Sequence, residues 1–287
     1  MILMAYGSPS TLAEIPDYLS DIRGGRPVSD AAIEKLTERY RRIGGRSPLD
    51  EITESQRAAL EQELGVPVFV GMKHAPPRIA EAVDAALSGG ATTLLGLVLA
   101  PQYSRLSIAG YRERLEAALA GRAELVFVDS WHDHPPFLDL LADRVRGFDG
   151  HVIFSAHSLP ERILAEQDPY RDQLLETARL VSERAGLENW TFAFQSASET
   201  GEPWLGPDLL EELDTLAAKG VPRVLVCPIG FVSDHLEILW DIDVEGRERA
   251  AELGLEFRRI ESLNDDPAFV RALAELARGR LGVPSNA

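Results

Sequence analysis

Short apolar runs alternate along the chain with longer segments in which leucine and alanine recur every three or four residues. The short runs are typical of buried strands, and the periodic segments are typical of amphipathic helices. Strands that alternate with helices form parallel sheets with right-handed crossovers, so the pattern predicts an α/β protein. The predicted strands are 2–5, 68–72, 93–100, 125–128, 152–154, 191–194, 224–227 and 255–258, and the predicted helices include 52–64, 78–87, 111–119, 172–185 and 209–218.

The order of elements runs twice. Residues 4–9 (MAYGSP) are matched by residues 155–160 (SAHSLP), and one strand in each half ends in a proline, Pro101 and Pro228. We therefore predict two Rossmann-like domains, 1–148 and 149–287, each with a four-stranded parallel sheet flanked by helices. The final helix, 267–280, is compatible with packing on either domain.

Composition narrows the possible functions. The 46 acidic and 29 basic residues give a net charge of −17, which argues against nucleic acid as a partner. The single cysteine, Cys227, excludes an intrachain disulfide and indicates a reducing compartment. No apolar run approaches the roughly 20 residues that span a bilayer, and residues 1–6 are too short for a secretory signal. We expect a soluble, cytoplasmic protein.

Chemically useful residues follow several of the predicted strands. Ligands of doubly wound folds bind at the carboxyl ends of the strands, where Tyr6, His157 and residues 101–104 and 230–235 lie in this sequence. An imidazole in such a position is suited to accept protons or bind a metal. A histidine that only caps the helix after the strand is an equal alternative for His157.

Three carboxylates recur every four residues at Glu237, Asp241 and Glu245, after the helix-capping residues Ser233 and Asp234. This spacing places them along one face of a predicted helix, where like charges repel unless a cation compensates them. Oxygen ligands in a row suit a divalent ion such as Fe²⁺. An ordinary solvated acidic face is the alternative interpretation.

Arginine is concentrated in two segments, 23–26 and 39–49, which contain Arg23, Arg26, Arg39 and Arg46. In so acidic a chain, this concentration suits the carboxylates of an anionic ligand. Arginines that stabilise the carboxyl ends of helices are an equal alternative. Neither glycine pair in these segments matches a dinucleotide or phosphate-binding motif.

The sequence resembles the ferrochelatase family over nearly its whole length. The segments that carry the resemblance are 4–9 (MAYGSP), 43–49 (IGGRSPL), 71–74 (GMKH), 99–104 (LAPQYS), 154–160 (FSAHSLP), 203–208 (PWLGPD) and 228–237 (PIGFVSDHLE). The resemblance implies two Rossmann-like domains with a porphyrin in the cleft between them. It also implies that the chain inserts ferrous iron during haem biosynthesis.

By the same resemblance, His157 and Glu237 are the catalytic pair and metal ligands. Asp241 and Glu245 are expected to continue an acidic ridge, for metal or protons, along a distorted helix. Tyr6 stands where the coproporphyrin III branch carries a tyrosine that ligates the product iron. The residues expected to bind the porphyrin are Tyr6, Arg23, Arg39, Ser47, Gln56 and Tyr111. Some relatives carry a second basic residue at the position of Gly24. This difference weakens the expectation that Arg23 and Arg26 contact the propionates.

The expected substrates are Fe²⁺ and coproporphyrin III, with no prosthetic group. No iron–sulfur cluster is expected, because the cluster cysteines of some relatives are absent. We expect a monomer that makes transient contacts with other haem-pathway enzymes. The alternatives are insertion of iron into protoporphyrin IX, a related chelatase for sirohydrochlorin, and a non-catalytic tetrapyrrole or haem carrier. A carrier would lose the proton acceptor, so His157 and Glu237 together favour the enzyme.

Overall fold

The computed structural model describes residues 1–198 and 200–282, and it contains two four-stranded parallel sheets. The first has the strand order β2-β1-β3-β4 and the second has the order β6-β5-β7-β8. The predicted fold class is thus confirmed. The strands are β1 Ile2–Ala5, β2 Phe69–Met72, β3 Thr93–Val98, β4 Glu124–Val128, β5 His151–His157, β6 Trp190–Gln195, β7 Arg223–Pro228 and β8 Glu256–Arg259.

Helices cover both sheets. They are α1 Ile15–Ile22, α2 Asp30–Arg42, α3 Leu49–Leu64, α4 Ile79–Ser88, α5 Ile108–Leu119, α6 Pro135–Val145, α7 Arg162–Ala165, α8 Tyr170–Ala185, α9 Leu209–Ala218, α10 Arg247–Leu253 and α11 Pro267–Leu281, with a π-helix at Ile238–Gly246. The predicted helices do not include α1 or α2. Helix α2 is polar overall and buries only Thr37 and Tyr40, although Ile33, Leu36 and Tyr40 recur at helical spacing.

One hydrophobic core joins the two halves. Leu97 of the first sheet, Phe154 of the second, and Trp131 and Phe269 between them belong to the same buried cluster. Helix α11 packs against α3 and α6 of the first half. Its Arg278 donates to the backbone carbonyl of Glu63 at 2.5 Å. The predicted boundary at 148–149 falls between α6 and β5, and residues 283–287 of the second predicted domain lie outside the described residues.

Hydrogen bonds connect α8 of the second half to the loops after β3 and β4 of the first half. The Gln102 side chain donates to Thr177 Oγ1 at 3.3 Å. Gln173 Oε1 accepts from the backbone N–H of Tyr103 at 2.7 Å and from Ser130 Oγ at 3.0 Å. These bonds fix the loops after β3 and β4 to the second half. None of the described helices is long and apolar enough to cross a membrane.

Candidate active site

A cavity of about 520 Å³ lies where the carboxyl ends of the two sheets meet. This volume is within the range of small-molecule sites, and this location is the one that parallel α/β folds favour for ligands. The polar and aromatic side chains on its wall include Tyr6, Tyr18, Tyr40, Ser47, Lys73, His74, Tyr111, Arg114, His157, Phe231, His235 and Glu237.

His157 ends β5, and its ring is oriented by the following residue. Its Nδ1 atom is hydrogen-bonded to the backbone carbonyl of Ser158. Because a carbonyl can only accept, Nδ1 carries the proton in the neutral ring and Nε2 has the free lone pair. The backbone carbonyl of His157 in turn accepts from the Tyr170 hydroxyl at 2.9 Å. The Nε2 atom is therefore the one available for chemistry.

Glu237 pairs with two histidines. Its Oε1 lies 3.4 Å from Nε2 of His157, and its Oε2 lies 3.6 Å from Nε2 of His235. Burial opposes charge on both His157 and Glu237, but the attraction between the two groups is larger. The carboxylate raises the pKa of His157 to about 9, and the histidines hold the pKa of Glu237 well below its ordinary value. At neutral pH the pair is an imidazolium with a carboxylate.

The acidic residues after Glu237 lie on a π-helix, Ile238–Gly246, rather than on the regular α-helix that their spacing predicts. The resemblance implies such a distortion, whereas the four-residue spacing alone gives no sign of i→i+5 bonding. Asp241 is buried and accepts a hydrogen bond from Ser196 Oγ. Burial, reinforced by Glu237, raises the pKa of Asp241 to about 6.

Asp241 and Glu245 line a second, smaller cavity of about 130 Å³ beside the first. Arg39 lies on the wall of this second cavity, with its guanidinium carbon 5.5 Å from the centre of the Trp240 ring. Within residues 1–198 and 200–282, no group of three or more His, Cys, Asp or Glu side chains is arranged to hold a metal ion.

Tyr6 lies on the first half of the cavity wall. Its backbone carbonyl accepts from the N–H of His74 at 2.9 Å, and the centres of the two rings are 4.6 Å apart. The chain turns at Gly7, where φ is +83° and a Cβ would lie 2.7 Å from the Cβ of Ala75. Only glycine tolerates both conditions, so Gly7 fixes the path of the chain immediately after Tyr6. The Tyr6 side chain stays 41% exposed.

The structure separates the predicted porphyrin-binding residues into two groups. Ser47 and Tyr111 line the main cavity with Tyr6, whereas Arg23 and Arg39 are not on its wall. Arg23 is the exposed residue that ends α1. Gln56 is not on the wall of this cavity either: its side chain is fully buried and donates to Ser233 Oγ at 3.0 Å and to the Asn264 carbonyl at 2.6 Å.

Sequence reasoning assigned no role in the site to Lys73, His74, Arg114 or His235. His235 lies in the segment 230–235, which follows a predicted strand, and it precedes Glu237 by two residues. Lys73 and His74 follow β2, so the rule that strand ends carry ligands would have found them. Arg114 carries no such signal, because it lies in the middle of α5.

A model of the ferrochelatase family matches residues 1–281. The chain belongs to the ferrochelatase family. It is 47% identical to a ferrochelatase of Deinococcus radiodurans over 296 residues, which cover 96% of this chain and 94% of that protein. It is 40% identical to a coproporphyrin III ferrochelatase of Halalkalibacterium halodurans over 299 residues, covering 98% and 96%. Membership makes the chain a porphyrin metal chelatase of haem biosynthesis.

A solved structure supports the fold independently. The sirohydrochlorin chelatase SirB from Bacillus subtilis subspecies spizizenii superposes with a TM-score of 0.60, covering 80% of this chain and 89% of that one. At 13% identity the likeness shows the fold alone. The sequence-level matches are to ferrochelatases, so they favour a porphyrin over sirohydrochlorin as the substrate class.

Proposed function

We propose that this chain inserts Fe²⁺ into coproporphyrin III and releases iron coproporphyrin III. The observation that carries the proposal is that Tyr6 shares one cavity with His157 and Glu237. The resemblance assigns this tyrosine position to the coproporphyrin branch. The partial exposure of Tyr6 leaves its phenol accessible to a ligand in the cavity. Both Fe²⁺ and the porphyrin are substrates here, and the proposal includes no prosthetic group.

Metal insertion requires that two pyrrole N–H protons leave as Fe²⁺ takes their place. His157 is the proton acceptor in this proposal, because its Nδ1 proton is held by Ser158 and its Nε2 lone pair is free in the neutral ring. Glu237 stabilises the imidazolium that forms. His235 contacts the other oxygen of Glu237 and so holds the carboxylate in place.

The pair must lose a proton before it can accept one from the porphyrin, because the raised pKa of His157 keeps the imidazole charged at neutral pH. An approaching Fe²⁺ favours that loss, since a nearby cation lowers the pKa of an imidazole. Asp241, four residues beyond Glu237 and with a pKa of about 6, is suited to receive this proton and pass it to solvent. His157 then accepts the two pyrrole protons one after the other, and each leaves by the same route before the next is taken. Glu245 continues the row of oxygens along which a divalent ion can be exchanged.

Iron insertion into protoporphyrin IX is the alternative within the family. Coproporphyrin III has four propionates where protoporphyrin IX has two, so the two substrates differ in charge as well as in size. A non-catalytic carrier on the same fold is a weaker alternative, because a carrier has no use for the His157–Glu237 pair.

The test is an anaerobic assay with Fe²⁺ and each free porphyrin, in which metalation is followed by the shift of the Soret band. We expect kcat/KM with coproporphyrin III to exceed that with protoporphyrin IX by at least about tenfold, which corresponds to one additional charge-assisted hydrogen bond. Equal efficiencies would contradict the substrate assignment but not the porphyrin chelatase activity. Binding of both porphyrins without turnover would favour the carrier.

A further inference from the structure

Two cationic side chains on the cavity wall lack an acidic partner. Lys73 Nζ donates to the backbone carbonyl of Ser107 at 3.1 Å, and the Arg114 guanidinium donates to the backbone carbonyl of Lys73. In the part of the chain that the structure describes, neither side chain forms a salt bridge with a carboxylate. Arg112, on the same helix as Arg114, is instead paired with Asp129 at 2.7 Å.

What distinguishes these two cations is their place on the wall of the main cavity, in a chain with a net charge of −17. Burial lowers the pKa of Lys73 to about 8, and the neighbouring charge of Arg114 adds to the effect, whereas Glu113 opposes it. The Arg114 side chain is exposed. A carboxylate placed between two like charges reduces their repulsion and forms charge-assisted hydrogen bonds, so this part of the wall favours an anionic ligand.

The packing around Lys73 positions its ammonium group. The side chain crosses α5 at Gly110, where a Cβ would lie 3.0 Å from Nζ. The ammonium lies 4.7 Å from the centre of the Tyr111 ring, which stabilises it by a cation–π interaction. The absence of a side chain at residue 110 therefore lets Lys73 lie close against α5 and beside Tyr111.

These two residues are the only lysine and arginine among the described residues that line the main cavity. Arg46, from the segment that the sequence favours for binding carboxylates, is exposed and pairs with Glu51 at 2.8 Å. A porphyrin with propionate groups that occupies this cavity would therefore meet its cationic partners at the end of β2 and on α5.

We propose that Lys73 and Arg114 form a carboxylate clamp that binds one propionate of the porphyrin. The proposal rests on the proposed function only in taking a porphyrin carboxylate as the ligand. It does not depend on which porphyrin is preferred or on iron insertion. The clamp acts in binding and orientation, and no proton transfer is assigned to it.

The experiment measures the binding of metal-free coproporphyrin III and, separately, protoporphyrin IX by fluorescence titration, with no iron present. We expect Lys73→Gln and Arg114→Gln each to raise the Kd of coproporphyrin III by about tenfold, the effect of one lost charge-assisted contact. Lys73→Arg should recover most of the affinity, because it keeps the charge. Arg112→Gln is the matched control on the same helix and should bind like the wild type.

The dependence of the Kd on ionic strength distinguishes a charge contact with the porphyrin from a purely structural role of the two residues. The Kd of the wild type should rise with ionic strength, and this dependence should be weaker in Lys73→Gln and Arg114→Gln. Wild-type affinity in both glutamine variants, or an equal loss in Lys73→Arg and Lys73→Gln, would overturn the clamp. Because no turnover is measured, a failure of the coproporphyrin assignment would leave these results unchanged, and a failure of the clamp would leave that assignment open.

Discussion

Nε2 of His157 lies 3.4 Å from Oε1 of Glu237 on the cavity wall. His157 ends β5, and Glu237 directly precedes the π-helix. The two residues are 80 positions apart in sequence, yet each determines the protonation state of the other. Because of this mutual effect, both ring nitrogens of His157 carry a proton at neutral pH. The first predictions concern this pair.

Replacement of His157 by alanine should lower the rate of iron insertion by about 10²-fold or more, because general-base catalysis typically contributes that much. Porphyrin binding should remain largely intact, since the imidazole is assigned to the pyrrole protons and not to the propionates. The Soret shift under anaerobic conditions gives the rate, and porphyrin fluorescence gives the Kd. A wild-type rate of iron insertion in His157→Ala would contradict the assignment of His157 as the proton acceptor.

Replacement of Glu237 by glutamine should lower the pKa of His157 from about 9, because the largest of the contributions that raise it comes from this carboxylate. The sign follows from the balance of effects: burial disfavours the imidazolium, and the carboxylate that overcomes burial is absent in Glu237→Gln. NMR titration of labelled histidine measures the change, and the chain has only six histidines to assign. A pKa that stays near 9 would mean that Glu237 is not the dominant partner.

The acidic residues beyond Glu237 should affect the metal and not the porphyrin. In Asp241→Asn and Glu245→Gln we expect the Fe²⁺ concentration for half-maximal rate to rise several-fold, while the Kd for the porphyrin stays unchanged. Glu248→Gln is a suitable control, because Glu248 is exposed and pairs with Arg42 at 2.6 Å. If the dependence of the rate on Fe²⁺ concentration were unchanged, Asp241 and Glu245 would be part of an ordinary solvated acidic face with no role toward the metal.

We expect Tyr6 to affect the visible spectrum of the bound iron porphyrin product. The Tyr6→Phe variant should bind coproporphyrin III with an affinity close to that of the wild type, since only one oxygen is lost. Its complex with the iron product should show a different visible spectrum, because the oxygen proposed to bind the product iron is absent. Identical product spectra in the two proteins would exclude Tyr6 as a ligand.

The alternation of apolar runs and helical periods was sufficient to predict both sheets and their parallel arrangement. Because the carboxyl ends of parallel strands meet at one edge, the same reasoning selected Tyr6 and His157, which the structure places on one cavity. The predicted helices omit α1 and α2, although apolar residues recur at helical spacing in both, at 15, 18, 19 and 22 and at 33, 36 and 40.

Other parts of the site depend on contacts between distant segments. Gln56 is buried because Ser233 and Asn264, far away in sequence, take up its amide protons. Lys73 and Arg114 come together only once the structure places both on the cavity wall, where each donates to a backbone carbonyl. Such contacts arise from tertiary packing, and neither spacing nor composition predicts them.

The proposed activity is tested most directly by a competition between the two porphyrins. Equimolar coproporphyrin III and protoporphyrin IX are incubated with the chain and a limiting amount of Fe²⁺ under anaerobic conditions, and the two iron products are separated and quantified by chromatography. Early in the reaction, the product ratio equals the ratio of the two kcat/KM values. We predict an excess of iron coproporphyrin of at least about tenfold. Equal amounts of the two products, or an excess of protohaem, would contradict the proposed function.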